Sequence, residues 1–457
     1  MSTVAKKVLM GSGAVAEFGI GQSVIFNKPD SAYMVRTPSS TGNLKTWTLS
    51  VWLKKTDIIA TGNADSYQLI YGGHTGVATT IRFVNNILAV YQWTGSAYNF
   101  NIVLPSLFRD TSAWFHLVVS FDSTQSTDTN RVKIYINGVH QAPSTTVWPS
   151  QNLDTRMNLS GLAQYIGRYY TTTSSEYLDY NGYMAEFHWL DGTAAAASDF
   201  GETNDDTGQW IPKEYTDGSY GTNGFYLKFV SGAIGTDSSG EGNNQTVGNI
   251  ANADVVIDTP TNNFATLNSQ IAISSAMTLS EGNLKGSFNG GSTANANEAS
   301  STIDMPPGSG KYYWEMRLTQ VASWAFLIGI VPNGETKTAL PGNGGYYMSN
   351  YGKKAYNSYQ NEVSYGTAWN ANGTTYIISC YYDSDAGKIG FYRDGTDQGF
   401  AFTNVVSDTY VASFGNGSGG TTASFPSTIN FGQNGTFAGT VTAQGNADTN
   451  GIGDFYY

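Results

Sequence analysis

Two neighbouring stretches of strict alternation, residues 115–121 and 132–136, constrain the fold of this chain more than any other feature. Apolar residues occupy every second position of both stretches. A period of two places these side chains on one face of a β-strand. Asn137-Gly138 follows the second stretch, and this dipeptide accepts the left-handed backbone angles of a tight reversal. The pattern predicts antiparallel strands with one face buried and the other in water.

The composition extends this prediction to the whole chain. At 457 residues the chain is too long for one hydrophobic core, so we expect at least two domains. It contains 53 glycines, 30 tyrosines and 10 tryptophans, and only 13% of its residues are charged, which favours strands and turns over long helices. The net charge is −12 without a Lys/Arg-rich run, which argues against nucleic acid as a partner.

No apolar run approaches the ~20 residues that span a bilayer, so we expect no membrane insertion. The apolar stretch after Lys6-Lys7 has three residues before Gly11, which is too short for a secretory signal.

The alternation recurs at residues 46–54, 183–189 and 224–229. The segment 114–138 resembles the central hairpin of laminin-G-like, concanavalin A-type domains. The resemblance implies such a sandwich over residues 21–230, and domains of this kind mostly bind ligands.

A second set of motifs lies at residues 311–318, 326–330, 383–395 and 428–433. In this order they resemble the SPRY family and imply a SPRY-like sandwich over 263–433. The fold class is therefore predicted as all-β, with two antiparallel β-sandwich (jelly-roll) domains.

Three further segments complete the predicted organisation. Residues 1–20 are interpreted either as an N-terminal arm or docking peptide or, equally, as a disordered segment. Residues 231–262 are interpreted as a linker, because their composition cannot bury enough apolar area to order itself. Residues 434–457 are expected to pack on the second domain, since three aromatic residues at the end are costly to leave in water.

The segments 31–57, 199–229, 258–268 and 279–287 resemble proteins of marine tailed phages that join a laminin-G-like domain to a SPRY-like domain. This resemblance implies a virion structural protein at the particle surface, made in the host cytoplasm. Its implied partners are other virion proteins through the N-terminal arm, and a host surface glycan or protein. A homo-oligomer is expected, with a trimer as one option, although the sequence has no coiled-coil repeat to enforce it.

Catalytic residues are not predicted. Some concanavalin A-type folds hydrolyse glucans with two carboxylates, but no two acids share a strand face at the required spacing. Glu186, His116 and His188 are predicted to face water from their strands. We therefore expect no enzyme activity.

No cofactor or metal is predicted. Laminin-G-like domains often bind one Ca²⁺, and Asp122, Asp128 and Asp179 are plausible donors. Their spacing does not single them out, and the histidines lack zinc-ligand spacing.

The candidate ligand-binding residues are aromatic residues in Gly/Asn-rich segments. Aromatic rings in loops can stack on sugars or pack on protein partners. They can equally cap the edge of the sandwich or fill an oligomer interface. The candidates are Tyr346, Tyr347, Tyr351, Tyr356, Tyr359, Trp369, Tyr169 and Tyr170.

Two functions of different classes remain at this stage, with a third as a minor alternative. The first is a fibre or receptor-binding adhesin for a host glycan or surface protein. The second is an architectural capsid-decoration or tail subunit that binds no ligand. The third is a polysaccharide-degrading enzyme. In each case the hairpin at 114–138 is interpreted as core, with function placed elsewhere.

Overall fold

The structure is a computed structural model, and it describes residues 18–58, 67–168, 179–271, 277–288, 297–320, 325–334, 344–357, 361–416 and 425–457. The chain divides into two compact units, with the boundary between Asn263 and Phe264. Tyr169, Tyr170, Tyr359 and the predicted N-terminal arm up to residue 17 lie outside the described residues. No helix in the described ranges is long and apolar enough to cross a membrane.

The first unit is built almost entirely of antiparallel strands. Its strands are β1 (Ser23–Phe26), β2 (Tyr33–Arg36), β3 (Thr46–Lys55), β4 (Tyr67–Thr75), β5 (Val77–Val84), β6 (Ile87–Trp93), β7 (Tyr98–Leu107), β8 (Phe115–Asp122), β9 (Val132–Ile136), β10 (Val139–His140), β11 (Thr145–Val147), β12 (Gln164–Ile166), β13 (Gly182–Asp191), β14 (Gly201–Thr203), β15 (Trp210–Pro212), β16 (Phe225–Leu227), β17 (Thr246–Gly248) and β18 (Val255–Val256). Short 3-10 helices lie at Lys28–Asp30, Asp128–Asn130, Ala197–Asp199 and Asn252–Asp254.

These strands form two large sheets and a small hairpin. The first sheet has the order β10-β9-β8-β3-β13-β1-β18, with β16 beside β13. The second sheet has the order β11-β7-β6-β5-β4-β12-β2-β17, and β14 pairs with β15. The apolar faces of the two sheets meet in one core cluster, which includes Leu49 and Val119 from the first sheet and Ile81 and Val90 from the second. The unit is therefore a β-sandwich, and the hairpin β8–β9 lies within it as its alternation predicts.

The outer face of the first sheet differs from the prediction, because it is not in water. Every residue of β13, and all of β3 except Thr46, is buried. Residues between 195 and 226 fold back over this face, where Phe200, Tyr220 and Tyr226 form a second apolar cluster. The alternation marked one core face correctly, but a segment that is distant in sequence covers the other face.

Residues 231–262 do not form an unordered linker. β17 pairs with β2 at the edge of the second sheet, and β18 pairs with β1 at the edge of the first. Val256 and Asp258 are buried. The segment has too little apolar surface to fold alone, and it is ordered here because strand pairing and polar contacts fix it to the first sandwich.

The second unit is also antiparallel. Its strands are β19 (Met277–Ser280), β20 (Lys285–Phe288), β21 (Asn297–Ser300), β22 (Lys311–Thr319), β23 (Phe326–Pro332), β24 (Tyr346–Ser349), β25 (Lys353–Tyr356), β26 (Val363–Ser364), β27 (Thr375–Asp383), β28 (Lys388–Arg393), β29 (Thr396–Phe402), β30 (Tyr410–Asn416) and β31 (Phe425–Asn430), with a 3-10 helix at Ser269–Ile271. They form one sheet of order β19-β20-β31-β22-β27-β28-β29 and one of order β21-β30-β23-β24-β25-β26.

The C-terminal residues lie on this second unit. The carboxylate of Glu315, in β22, accepts the main-chain N–H groups of Tyr456 and Tyr457, each at 2.9 Å. The ring of Phe455 is buried and meets the ring of Tyr313 edge to face. Burial raises the pKa of Glu315, and the two N–H groups counteract that shift. A buried carboxylate therefore holds the end of the chain.

Candidate functional site

A pocket of about 370 Å³ lies in the first unit and stands out because tryptophan dominates its wall. It is lined by Trp52, Ala113, Trp114, Asn137, Gly208, Gln209, Trp210, Pro260 and Asn263. Asn137, Gly208 and Gln209 are exposed, so the pocket opens to solvent. Its volume lies within the roughly 300–1,000 Å³ that is usual for small-molecule sites. We call it the tryptophan pocket.

The three tryptophans reach the pocket from different elements. Trp52 lies on the outer face of β3 and is only 4% exposed, so it forms the floor. Trp114 precedes β8 and Trp210 begins β15, and both are half-buried. One face of Trp52 stacks on the imidazole of His116, with ring centroids 4.7 Å apart.

The indole N–H groups of two tryptophans are already used inside the protein. Trp114 Nε1 donates to Asp258 Oδ1 at 2.9 Å, and Trp210 Nε1 donates to His116 Nδ1 at 3.1 Å. An indole has only this one donor. These two rings therefore offer the pocket apolar aromatic surface without a spare N–H.

The turn of the β9–β10 hairpin fixes one wall. Asn137 and Gly138 have φ values of 48° and 77°, the left-handed region that Asn-Gly turns supply. A Cβ at position 138 would lie 2.5 Å from Trp210 Cε3, so only glycine lets Trp210 pack on this turn. Asn137 Oδ1 accepts the main-chain N–H of His116 at 2.8 Å. The hairpin that looked like core alone thus also shapes the pocket.

A buried ion pair fixes the opposite wall. Lys54 Nζ lies 2.8 Å from Asp258 Oδ2, and both side chains are fully buried. Lys54 also donates to Asn263 Oδ1 at 2.8 Å, while Asn263 Nδ2 donates to the Ser112 carbonyl at 2.9 Å. Burial lowers the pKa of Lys54, and Asp258 counteracts that shift. These contacts hold residues 258–263 against the pocket.

Ser50 and His116 lie behind the pocket in an arrangement that does not suit nucleophilic catalysis. Ser50 Oγ is 2.8 Å from His116 Nε2. Trp210 can only donate, so His116 Nδ1 must accept, and the proton of the neutral ring is on Nε2. His116 then donates to Ser50 and cannot take its proton. Burial, with a smaller contribution from His188, lowers the pKa of His116 to about 3.

Glu186, His116 and His188 are buried, so the prediction that they face water is wrong. The cause is the covering segment described above. Glu186 sits at a bulge in β13 with φ 49° and bonds Tyr226 Oη, while His188 Nδ1 lies 2.7 Å from Tyr220 Oη. Burial, and then the charge of Glu186, raises the pKa of Tyr226. This cluster joins β13 to its cover, and its polar groups satisfy one another.

The aromatic candidates of the second unit separate into buried and exposed residues. Tyr346, Tyr347 and Trp369 are 4%, 0% and 0% exposed, so the interpretation that they are accessible loop residues is wrong. The first two lie in β24. Tyr351 and Tyr356 are 36% and 41% exposed, and ligand binding by them stays a prediction. These five residues belong to the second unit, whereas the lining residues of the tryptophan pocket belong to the first unit.

The carboxylates considered for calcium are dispersed. Asp122 accepts hydrogen bonds from Thr124 and Gln125, and Asp179 lies 3.2 Å from Arg168. Among the residues that the structure describes, no group of three His, Cys, Asp or Glu side chains could hold a metal ion.

The tryptophan pocket was missed from the sequence because its residues are far apart in the chain. Trp52 lies in the alternating stretch 46–54, where a period of two does not show what packs on it, and Gln209 and Asn263 lie in segments without periodicity. The only local signal was the Asn-Gly turn, which predicts a reversal but not what packs on it.

Comparison with known proteins agrees with the two folds. Residues 30–198 match the concanavalin A-like lectin/glucanases superfamily, and residues 311–441 match the SPRY domain. No curated protein matches the chain.

Similar solved structures are distant. Domains LG4-5 of the mouse laminin alpha1 chain are 11% identical, cover 94% of this chain and 92% of their own, and have a TM-score of 0.30. The SPRY domain of human HERC1 is 13% identical, with 36% and 96% coverage and a TM-score of 0.28. A Bacteroides ovatus protein to which carbohydrate binding has been attributed is 18% identical, with 52% and 60% coverage and a TM-score of 0.33.

The all-β prediction of two antiparallel sandwiches is confirmed by the strands and by these matches. The chain is therefore an all-β protein with a concanavalin A-like domain followed by a SPRY-like domain.

Proposed function

We propose that this protein is an adhesin that binds a glycan in the tryptophan pocket of its first domain. One observation carries the proposal: three tryptophans and three side-chain amides converge on one open pocket of about 370 Å³. The C–H faces of sugar rings pack on indole rings, and amides hydrogen-bond to hydroxyl groups. A pocket with an aromatic floor and a few polar groups is the general form of a small-ligand site.

The rigidity of the pocket supports the proposal. When the side chains of a site are already fixed before the ligand binds, little binding free energy is lost in ordering them. Trp52 is packed on His116, Trp114 is held by Asp258, and Trp210 is held by His116. A sugar would therefore enter a pocket whose walls are already fixed.

We propose binding without catalysis at this pocket. None of the described residues that line it is an aspartate or glutamate, and glycoside hydrolysis commonly uses two such groups across the sugar. The serine and histidine behind it have the wrong proton arrangement for a nucleophile and its base.

We further propose that the adhesin acts at the surface of a phage virion. The support is the resemblance of residues 31–57, 199–229, 258–268 and 279–287 to marine tailed-phage proteins. In this proposal the N-terminal arm attaches the protein to other virion proteins, and several copies, such as a trimer, present their pockets together.

An architectural role without a ligand is the second candidate. It is supported by exposed apolar side chains on the second domain, among them Tyr356, Val363 and Phe400, which are 41%, 53% and 46% exposed. Such residues could contact neighbouring subunits.

A glycan array probed with the full chain and with Trp114→Ala tests the proposal. We expect wild-type protein to bind a restricted set of glycans and Trp114→Ala to lose that binding. Trp93→Ala is the matched control, because Trp93 is a half-buried tryptophan of the same domain that contacts Tyr98 and does not line the pocket. Equal binding by wild type and Trp114→Ala would refute the pocket as the binding site.

A further inference from the structure

We infer that the tryptophan pocket selects an uncharged sugar residue that carries an acetamido group. This inference rests on the glycan-binding function proposed above and names the class of sugar. Three features of the pocket support it: its lack of charge, the state of its indole groups and the spare donor of Asn137.

The first feature is that every side chain that lines the pocket, among the residues that the structure describes, is uncharged. Lys54 and Asp258 contact Asn263 and Trp114 of the wall, and these two charged side chains are fully buried and paired with each other. A carboxylate or ammonium on the sugar would lose hydration on entering and would gain no opposite charge among the lining residues. The pocket therefore favours neutral sugars over uronic acids and over free amino sugars.

The second feature is the apolar character of the aromatic wall. The indole N–H groups of Trp114 and Trp210 donate inside the protein, so these rings make no hydrogen bond to a ligand through nitrogen. A sugar that presents only hydroxyl groups uses such a wall with its C–H face alone. An acetamido group adds a methyl group, which removes further apolar surface from water.

The third feature is the amide of Asn137. Its Oδ1 accepts the main-chain N–H of His116, so its Nδ2 is the group left for a ligand. Asn137 is exposed, and no acceptor for Nδ2 occurs within the described residues. An N–H donor beside an apolar wall matches the carbonyl oxygen and the methyl group of an acetamido substituent.

A turn in the second domain shows that aspartate can occupy the turn position that Asn137 holds in the first domain. Asp394-Gly395 forms the equivalent turn there, with φ values of 46° and 77°. Asp394 Oδ1 accepts the main-chain N–H of Ile377 at 2.9 Å, as Asn137 Oδ1 accepts that of His116. Asn137→Asp should therefore keep the turn and this hydrogen bond while it replaces the Nδ2 donor by a negatively charged carboxylate oxygen.

Calorimetric titration of the full chain with three neutral or cationic trisaccharides tests the inference. The probes are the β-1,4-linked trimer of N-acetylglucosamine, cellotriose, which has hydroxyl groups in place of acetamido groups, and the trimer of glucosamine, which is cationic. We expect the N-acetylated trimer to bind at least about tenfold more tightly than the other two. Asn137→Asp should weaken its binding by at least about threefold, because it loses one hydrogen bond and places a charged acceptor beside the acetamido carbonyl, and Asp394→Asn should not change it.

The results separate this inference from the proposed function. Equal binding of cellotriose and the N-acetylated trimer would overturn the acetamido preference and leave the glycan site in place. Unchanged affinity of Asn137→Asp would overturn the role of its amide. If no trimer binds while the array shows Trp114-dependent binding of other glycans, the inferred sugar class is wrong. If the array also shows no Trp114-dependent binding, the proposed function itself fails.

Discussion

Replacing Gly138 with alanine should disturb the tryptophan pocket far more than the same change at a free turn. Position 138 has φ 77°, and a Cβ there would lie 2.5 Å from Trp210 Cε3. The ring of Trp210 cannot move away freely, because its N–H donates a hydrogen bond to His116 and because Gly201 also packs closely on the ring. The ring must therefore move and give up contacts.

Gly76 provides a matched control in the same domain. It has the same φ of 77°, and a Cβ built there meets no atom within 4 Å. Both alanine variants carry the strain of a left-handed residue, about 1–2 kcal/mol. Only Gly138→Ala adds overpacking, which costs about 1–3 kcal/mol. At about 2–4 °C per kcal/mol for a domain of this size, Gly138→Ala should unfold roughly 2–12 °C below Gly76→Ala.

The assay is thermal unfolding of the full chain by calorimetry, with attention to the transition of the first domain, followed by glycan binding of both variants. We expect Gly76→Ala to bind like wild type and Gly138→Ala to bind more weakly. Equal unfolding temperatures and equal binding for the two variants would refute the packing of Trp210 on the hairpin turn.

Three further predictions concern buried charges. Lys54→Met should lower the free energy of unfolding of the first domain by about 3–5 kcal/mol in denaturant titrations, because it leaves Asp258 buried without its cation. Adding Asp258→Asn should recover part of this loss. A loss below about 1 kcal/mol would contradict the stabilising role of the ion pair. Burial lowers the pKa of Lys55 to about 8, against about 10.4 in the unfolded chain, so the unfolded chain binds more protons between these values. Relative to Lys55→Met, the free energy of unfolding of wild type should therefore rise from pH 8 to pH 10 by up to about 1.4 kcal/mol per pH unit. Parallel pH profiles of the two proteins would exclude the lowered pKa of Lys55. Glu315→Gln replaces one carboxylate oxygen, which accepts a hydrogen bond, by an amide N–H donor beside the N–H groups of Tyr456 and Tyr457. Carboxypeptidase should therefore release these two residues faster from the variant than from wild type. An unchanged rate would show that the carboxylate does not hold them.

The sequence predicted the strands and the core of the first domain because both depend on local rules. The period-two pattern of 115–121 and 132–136 fixes which side chains point inward, and Asn137-Gly138 fixes the turn. The same reasoning failed for the outer faces of β3 and β13. Their polar residues look solvent-exposed until residues 195–226 cover them, and that long-range contact has no local signature.

The site was predictable only in part for the same reason. Lys54 and Asp258 are 204 residues apart, and neither position signals an ion pair. The second-domain tyrosines show the opposite failure, since glycine-rich surroundings suggested loops, whereas Tyr346 and Tyr347 lie in a buried strand. The glycine-rich composition around these tyrosines therefore did not indicate whether their side chains are buried.

The tryptophan pocket is tested most directly by titrating the full chain with a glycan selected on the array. Two-dimensional ¹H–¹⁵N spectra would follow the indole N–H signals during the titration. The chain has ten tryptophans, and single Trp→Phe variants can assign their signals. We predict that saturable shifts are confined to Trp52, Trp114 and Trp210, which line the pocket. Glycan binding that shifts Trp314 or Trp369 in the second domain, and leaves these three unchanged, would contradict the account.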